Sequence, residues 1–447
     1  MKCLWVISCA LALLGAQLGR AQESESYERA PINYSAASPR DAVARLQARL
    51  SSGELTLGKD GREIVQVLLR ELGIPVESQL LVYSKTSLQR QRISPDHPRA
   101  LYFTDTCYVG WVPSGLIEVT AIDPVLGPIF YSLDPAVKRT NNSAALVRDS
   151  DCLRCHGGTF VRGIPGVFAR SVFTDENGEP LLRYGSEIVD FRTPFTNRWG
   201  GWYVTGKHGQ ALHRGNVLAS EKNDQLVFDS RQGANVTNLT RFFDTTKYLT
   251  NSSDIVALLV FEHQLAVQNA LTHASLDCRR MLEYQRTLQR VLKDPFTEEP
   301  SYDSVKSVFE STATEVVDAL LFKDEAELPE GIEGSAAFQR AFSASAPRTA
   351  RGFSLKDFHL QGHIFKNRCS YLIYSEAFRS LPHALKARVF ARLARALKSA
   401  EPDPRYAYLS GEERARIVEI LRETHPELRG VLDVPRGGIQ EEPSGGN

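Results

Sequence analysis

The middle of the chain consists of short hydrophobic runs separated by turn residues. Five such runs, rich in β-branched and aromatic residues, cover positions 80–83, 100–103, 107–112, 116–122 and 129–131. The turn sequence Pro113-Ser114-Gly115 joins the third run to the fourth. Runs of this length with turn residues between them predict an antiparallel β meander.

Three more strands are predicted after this meander. The runs 167–173 and 181–185 flank a turn sequence at 175–178 and predict a hairpin, while the aromatic run 202–205 predicts a single strand. Residues 79–238 are therefore expected to form one β-rich domain.

Hydrophobic positions at helical spacing lie on both sides of this β-rich domain. The N-terminal segment 22–78 contains two such stretches, and Ser38 with Pro39 predicts the start of the first helix. Residues 239–434 are mainly helical in pattern; their clearest stretches are 255–274, 276–292, 385–397 and 410–421. The Gly-rich tail 435–447 is expected to be disordered. The sequence thus predicts an α+β chain with N-terminal helices, a β-rich middle and a helical C-terminal domain.

The first 21 residues have the pattern of a secretory signal peptide. Lys2 precedes an uncharged apolar run at 3–18, and small residues at Gly19 and Ala21 favour cleavage after Ala21. A lipoprotein signal ending at Cys9 is the weaker alternative, because the apolar run before it is short. Elsewhere in the sequence no run reaches the roughly 18 continuous apolar residues of a membrane span. We therefore expect export to the periplasm of a Gram-negative bacterium.

Charge and cysteine content narrow the function classes. The 447 residues contain 53 basic and 53 acidic side chains, a balance that argues against a nucleic-acid partner. Outside the leader five cysteines remain. Among Cys107, Cys278 and Cys369 we expect one disulfide and one buried thiol, since the periplasm is oxidising.

The strongest chemical signal is the C-x-x-C-H sequence formed by Cys152, Cys155 and His156. Two thiols at this spacing can add to the two vinyl groups of one porphyrin, and the adjacent imidazole can bind its iron. The alternatives are a thioredoxin-like redox pair and half of a zinc site. A second C-x-x-C, which a zinc site would need, is absent from the sequence. The motif therefore predicts one covalently bound haem c.

A ligand for the opposite side of the iron can be sought among the remaining histidines and Met281. His213 and His208 lie in a glycine-rich loop after an aromatic strand, and glycines let a loop approach a flat macrocycle closely. We rank His213 slightly ahead of His208. His263, on an apolar helix, ranks lower, and Met281 has charged neighbours. An open sixth position is the other alternative.

The C-x-x-C-H sequence resembles that of c-type cytochromes. Strands flank the motif and Met is nearly absent downstream, unlike in the small all-helical cytochrome c domain. The mature chain is similar to exported bacterial single-haem proteins known only as cytochrome c domain-containing, on phrases such as Tyr108-Val109-Gly110-Trp111 and the run 198–203. Its element order also resembles periplasmic PAS-like sensor domains with covalent haem.

These resemblances imply a mono-haem c-type cytochrome but no particular activity. Our first hypothesis is electron transfer to an unidentified redox partner protein through an iron with two His ligands. The second is a haem-based sensor or small-ligand-binding module, motivated by the β-rich surroundings and the large helical region. A peroxidase-like haem enzyme ranks last, because the sequence contains no flavin, nicotinamide or nucleophile motif.

Overall fold

A seven-stranded antiparallel sheet forms the centre of the fold, in the strand order β6–β5–β4–β3–β2–β1–β9. The computed structural model describes residues 26–137, 145–329, 331–398 and 403–433. The expected signal peptide and disordered tail lie outside these residues. The strands of this sheet are β1 (Leu80–Val82), β2 (Arg99–Phe103), β3 (Cys107–Trp111), β4 (Ile117–Asp123), β5 (Gly127–Leu133), β6 (Val147–Arg148) and β9 (Trp202–Tyr203).

Three two-stranded ribbons complete the described β structure. They are formed by β7 (Ala169–Ser171) with β8 (Glu187–Val189), β10 (Ser220–Lys222) with β11 (Gln225–Val227), and β12 (Phe358–Gln361) with β13 (His363–Phe365).

Alternation of side chains fixes which face of the sheet each residue occupies. On β4, Ile117, Val119 and Ala121 are buried on one face, while Glu118 and Thr120 are half-buried on the other. The meander from β1 to β5 follows the sequence order, as its turn residues predicted, and β6, which was not predicted, continues it. The last strand, β9, pairs with β1 and adds an edge beyond the meander.

Ten helices are described, and most of them follow the sheet in the sequence. They are α1 (Ala42–Ser51), α2 (Gly61–Glu71), α3 (Leu153–His156), α4 (Ile255–Leu292), α5 (Asp303–Leu320), α6 (Ala336–Ala344), α7 (Glu376–Arg379), α8 (His383–Lys398), α9 (Gly411–Thr424) and α10 (Pro426–Asp433). The chain is thus of mixed α+β class with a helical C-terminal region, which confirms the predicted fold class.

The hydrophobic core is divided by the sheet. One face, with Val109 and Val119, packs with Val43 of α1 and Ile64 of α2. The opposite face, with Phe103 and Phe130 among others, belongs to the core that α4 and the later helices share. The sheet therefore has the N-terminal helices on one side and the helical region on the other, a three-layer arrangement.

The long helix α4 is the central element of the C-terminal region. Its N-terminus is capped by Asp254, whose Oδ2 accepts a hydrogen bond from the Ala257 amide at 2.9 Å. Among the described residues α4 is the one helix long and apolar enough to cross a membrane, but 83% of its most apolar stretch is buried in the fold. Such burial is that of a core helix, so there is no clear transmembrane segment in this part of the chain.

The predicted disulfide was wrong. Cys107, Cys278 and Cys369 are buried free thiols. Cys107 lies in the core beneath the N-terminal helices, whereas Cys278 and Cys369 lie in the core on the other side of the sheet. Burial raises the pKa of each of these thiols to about 12. They therefore behave as small apolar side chains.

Two local boundaries differ from prediction for identifiable reasons. The first helix is capped by Asp41, whose Oδ1 accepts from the Ala44 amide at 2.9 Å, and not by Ser38. The predicted return strand at 181–185 contains a 3₁₀ turn (Leu182–Tyr184), and the strand that pairs with β7 comes afterwards, as β8.

The buried carboxyl of Glu325 predicts a pH dependence of stability. Its Oε1 accepts from the Ile364 amide at 3.0 Å, and its Oε2 is buried without a hydrogen-bond partner among the described residues. Burial raises its pKa from 4.5 to about 7. The folded state therefore binds this proton more tightly than the unfolded state, so the free energy of unfolding should fall by about 3 kcal/mol as the pH rises from 4.5 to 7.

Urea unfolding of wild type and Glu325→Gln at pH 4.5 and pH 7.5 measures this effect. The variant should lose less stability between the two pH values than the wild type. The exposed Glu333, replaced in the same way, serves as the control and should keep the wild-type slope. Equal slopes in Glu325→Gln and wild type would show that Glu325 titrates normally.

Candidate haem site

The C-x-x-C-H residues lie on a short turn of helix that follows the edge strand β6. Asp149 caps the preceding 3₁₀ turn by accepting from the Asp151 amide, and α3 ends at His156. Gly157 follows because a Cβ at this position would lie 2.7 Å from the Tyr27 hydroxyl. Cys155 is exposed, while Cys152 and His156 are half-buried, so the motif lies at the mouth of a cavity.

The imidazole of His156 is held in one tautomer. Its Nδ1 lies 2.9 Å from the carbonyl oxygen of Gly166. Because a carbonyl oxygen only accepts, the proton is on Nδ1 and the Nε2 lone pair is left for a metal. Metal-binding histidines are commonly oriented in this way by a backbone carbonyl. Burial, more than the nearby Arg99 guanidinium, lowers the pKa of His156 to about 4, which keeps the ring neutral at pH 7.

The Gly166 carbonyl is itself fixed in place. Its own amide donates to the His156 carbonyl at 2.8 Å, and a Cβ at Gly166 would lie 2.7 Å from the Val161 Cβ. The next residue, Val167, donates from its amide to Asn269 Oδ1 on α4 at 2.9 Å and accepts at its carbonyl from Asn269 Nδ2 at 2.6 Å. The acceptor for His156 is therefore anchored to the core helix.

Two aromatic rings pack against the imidazole of His156. The His156 ring centroid lies 4.8 Å from that of Phe130 on β5 and 4.7 Å from that of Phe168, with interplanar angles of 37° and 33°. These contacts limit rotation of the ring about its side-chain bonds. A fixed orientation of Nε2 is what metal binding by a histidine requires.

A cavity opens between His156 and the sheet. Its volume is about 160 Å³, it is open to solvent, and it is lined by Cys152, Cys155 and His156. The wall is mainly apolar and aromatic, and its members include Val82, Leu101, Phe130, Trp202, Phe261 and Leu265. A mainly apolar cleft with a few polar groups is the kind of lining found in cofactor sites.

The residues at the cavity mouth fit a haem better than the two alternatives. Burial, with Asp149 and Glu118 adding smaller effects, raises the pKa of the Cys152 thiol to about 12. A thioredoxin-like pair needs a thiol of lowered pKa. A zinc site needs further ligands, and the described residues contain no group of three or more His, Cys, Asp or Glu side chains placed to hold a metal.

The two histidines ranked first as second iron ligand lie in a separate cluster. His208 and His213 are buried with their ring centroids 4.6 Å apart, and both rings contact Phe195. Neither lines the cavity at His156. The structure therefore does not bring them together with the motif.

The hydrogen bonds of these histidines are made with the backbone. His208 donates from Nδ1 to the Ala211 carbonyl at 2.8 Å and accepts at Nε2 from the Asn235 amide at 2.9 Å. His213 accepts at Nδ1 from the Gly215 amide at 3.0 Å, which places the proton of the neutral ring on Nε2. Neither ring presents a free lone pair, and burial lowers the pKa of both.

The lower-ranked candidates also lie elsewhere. His263 is fully buried on α4, where its ring stacks on Phe322 with a centroid distance of 4.0 Å and its Nε2 meets the Ser370 hydroxyl at 2.9 Å. Met281, further along α4, packs against the helical core. Neither lines the cavity that contains His156.

Several residues of the site were missed by sequence reasoning. Gly166, Phe168 and Asn269 orient His156, and Arg99 and Glu118 line the floor of the cavity. The sequence feature that could have indicated a position on the cavity side of the sheet for Glu118 is its alternation with apolar residues on β4. No family model, curated protein or solved structure matches the chain.

Proposed function

We propose that the protein is an exported mono-haem c-type cytochrome. Cys152 and Cys155 would bind the haem through thioether bonds, and the Nε2 atom of His156 would bind its iron. The observation that carries this proposal is the Nδ1 hydrogen bond of His156 to Gly166, which leaves Nε2 free and directed by two flanking phenyl rings. When bound, the haem supplies a redox-active iron with an axial position for a ligand.

We infer further that the iron's sixth position is open to a small ligand. In the described part of the chain, His156 is the one His or Met residue that lines the cavity. For a second His to bind the iron, His208 or His213 would have to leave its backbone hydrogen bonds and a buried aromatic cluster. The geometry therefore favours a ligand-binding or sensory haem over an iron with two His ligands.

Electron transfer is the second candidate function. It is favoured by the exposure of Cys155, because a haem attached at that residue would have one edge near the surface. An exposed edge allows a redox partner protein to approach. Both candidates place the protein in the periplasm, which agrees with the signal-peptide pattern of the first 21 residues.

Addition of carbon monoxide to the reduced protein separates the two candidates. An open iron should bind it, with a shift of the Soret band, and the ferric protein should give a high-spin electron paramagnetic resonance spectrum. A low-spin ferric spectrum together with an unchanged ferrous spectrum would contradict the open site. His213→Ala and His208→Ala test the alternative ligands, and neither variant should change the spin state.

A further inference from the structure

The lining of the haem cavity includes an ion pair. Arg99 on β2 and Glu118 on β4 form a salt bridge across the intervening strand β3. Gly110 of β3 is paired with Glu118 on β4 and with Leu101 on β2, two residues along the strand from Arg99. A Cβ at Gly110 would lie 2.4 Å from Arg99 Nη2 and 2.9 Å from its Nε. Glycine at this position thus lets the guanidinium lie against the sheet.

This pair is unusual for its surroundings, because it sits in a mainly apolar cavity. Only 20% of the Arg99 side chain and 18% of the Glu118 side chain are exposed. Among the described residues, neither the buried Nε–H of Arg99 nor the buried Oε2 of Glu118 has a hydrogen-bond partner, although Oε2 forms the ion pair with Arg99 Nη2. A buried donor without an acceptor costs free energy unless a ligand satisfies it. Arg99 is therefore equipped to bind an acceptor that enters the cavity.

The pair is also close to the motif. The Arg99 guanidinium contributes, after burial, to the lowered pKa of His156, and Glu118 contributes to the raised pKa of Cys152. His156 contacts Phe130 on β5, so the imidazole and the ion pair occupy the same face of the sheet, above neighbouring strands. Arg99, Glu118 and His156 line the same cavity.

We propose that Arg99 donates hydrogen bonds to a small anionic ligand at the sixth position of the iron, and that Glu118 is the residue that positions its guanidinium. This inference rests on the proposed function, since it needs an open haem in the cavity. The ligand class is small anions with hydrogen-bond-accepting atoms, such as fluoride, azide or nitrite. A guanidinium forms charge-assisted hydrogen bonds with such groups.

The haem itself would offer Arg99 another anionic group, because its propionates are carboxylates. Arg170 is another cation on the wall of the cavity, but its Nε and Nη2 already donate to the Ser186 hydroxyl at 3.0 and 2.7 Å. Arg170→Gln is therefore the matched control for Arg99→Gln. Both substitutions remove one positive charge from the same cavity.

Fluoride and imidazole titrations of the ferric, haem-loaded protein test the proposal. Fluoride needs a hydrogen-bond donor, whereas imidazole binds iron through nitrogen without one. Arg99→Gln should weaken fluoride binding by about 10- to 100-fold, the loss of a charge-assisted hydrogen bond, and change imidazole binding by less than about 3-fold. Glu118→Gln should weaken fluoride binding less, and Arg170→Gln should leave it at the wild-type value.

The outcomes are separable. If Arg99→Gln binds fluoride as tightly as wild type, the assignment of Arg99 is overturned, and a shifted reduction potential in that variant would then assign the guanidinium to a propionate. Equal losses in Arg99→Gln and Arg170→Gln would also overturn it, because the effect would then be that of charge alone. A wild-type protein that takes up haem but binds neither carbon monoxide nor fluoride overturns the open coordination instead.

Discussion

Replacing Cys152 and Cys155 together by alanine is expected to abolish covalent haem attachment. In the proposed cytochrome the sulfur atoms of these two residues would form the thioether bonds, and both residues line the cavity beside His156. Wild type should retain haem on a denaturing gel and after alkaline pyridine treatment, and the double variant should retain none. Each single variant should give a shifted pyridine spectrum, because one vinyl group remains unreacted.

The control for this experiment is a cysteine outside the motif. Cys278 is buried on α4, with its sulfur 3.3 Å from the Thr312 hydroxyl, and it does not line the cavity. Cys278→Ser should therefore keep the wild-type amount of covalent haem. Covalent haem in the double variant would contradict the assignment of the motif. Its absence from wild type made in cells that mature c-type cytochromes would contradict the proposed function as a whole.

The five strands β1 to β5 and the motif could be predicted from the sequence because both depend on local patterns. Alternation on β4 and turn residues such as Ser114 and Gly115 depend on neighbours a few positions away. The orientation of His156 could not be predicted in this way. It depends on Phe130 and on Asn269, which reach the motif only after the sheet and α4 have assembled.

The ranking of His213 and His208 as second iron ligands shows that the glycine content of a loop does not by itself identify a haem contact. The glycines around His208 and His213 suggested a loop that approaches a macrocycle, but at least two of them serve close packing of the backbone. A Cβ at Gly201 would lie 2.6 Å from the Ser84 Cβ, and one at Gly215 would lie 2.5 Å from the Val204 Cγ2. Glycines indicate that the backbone is approached closely by another group, but they do not show whether that group is a cofactor or another part of the protein.

The interior also contains an ion pair that no sequence pattern indicated, between Arg198 and Glu262. Both side chains are almost fully buried, and Arg198 Nη1 donates to Glu262 Oε2 at 2.8 Å. Arg198 further donates from Nε to the Thr193 carbonyl at 2.8 Å and from Nη2 to the Phe191 carbonyl at 3.0 Å. The Arg198 guanidinium therefore links the loop that contains Phe191 and Thr193 to the core helix α4.

Loss of Arg198 is expected to destabilise the fold by about 3–5 kcal/mol at neutral pH, because it leaves the Glu262 carboxyl buried without its partner. Urea unfolding of Arg198→Met measures this, since Met keeps much of the side-chain volume. Lys207→Met, which breaks the exposed pair with Glu333, should cost less than about 1 kcal/mol. The double variant Arg198→Met with Glu262→Leu should recover part of the loss.

The pH dependence of this defect identifies its cause. Burial raises the pKa of Glu262 to about 7 even though Arg198 lowers it, so removal of Arg198 should raise that pKa further. At pH 5 the carboxyl is then protonated and leaves no charge unpaired, whereas at pH 8 it must either ionise in the core or hold a costly proton. The loss of stability in Arg198→Met should therefore grow from pH 5 to pH 8. A loss that is the same at both pH values would assign the effect to the two backbone hydrogen bonds of Arg198.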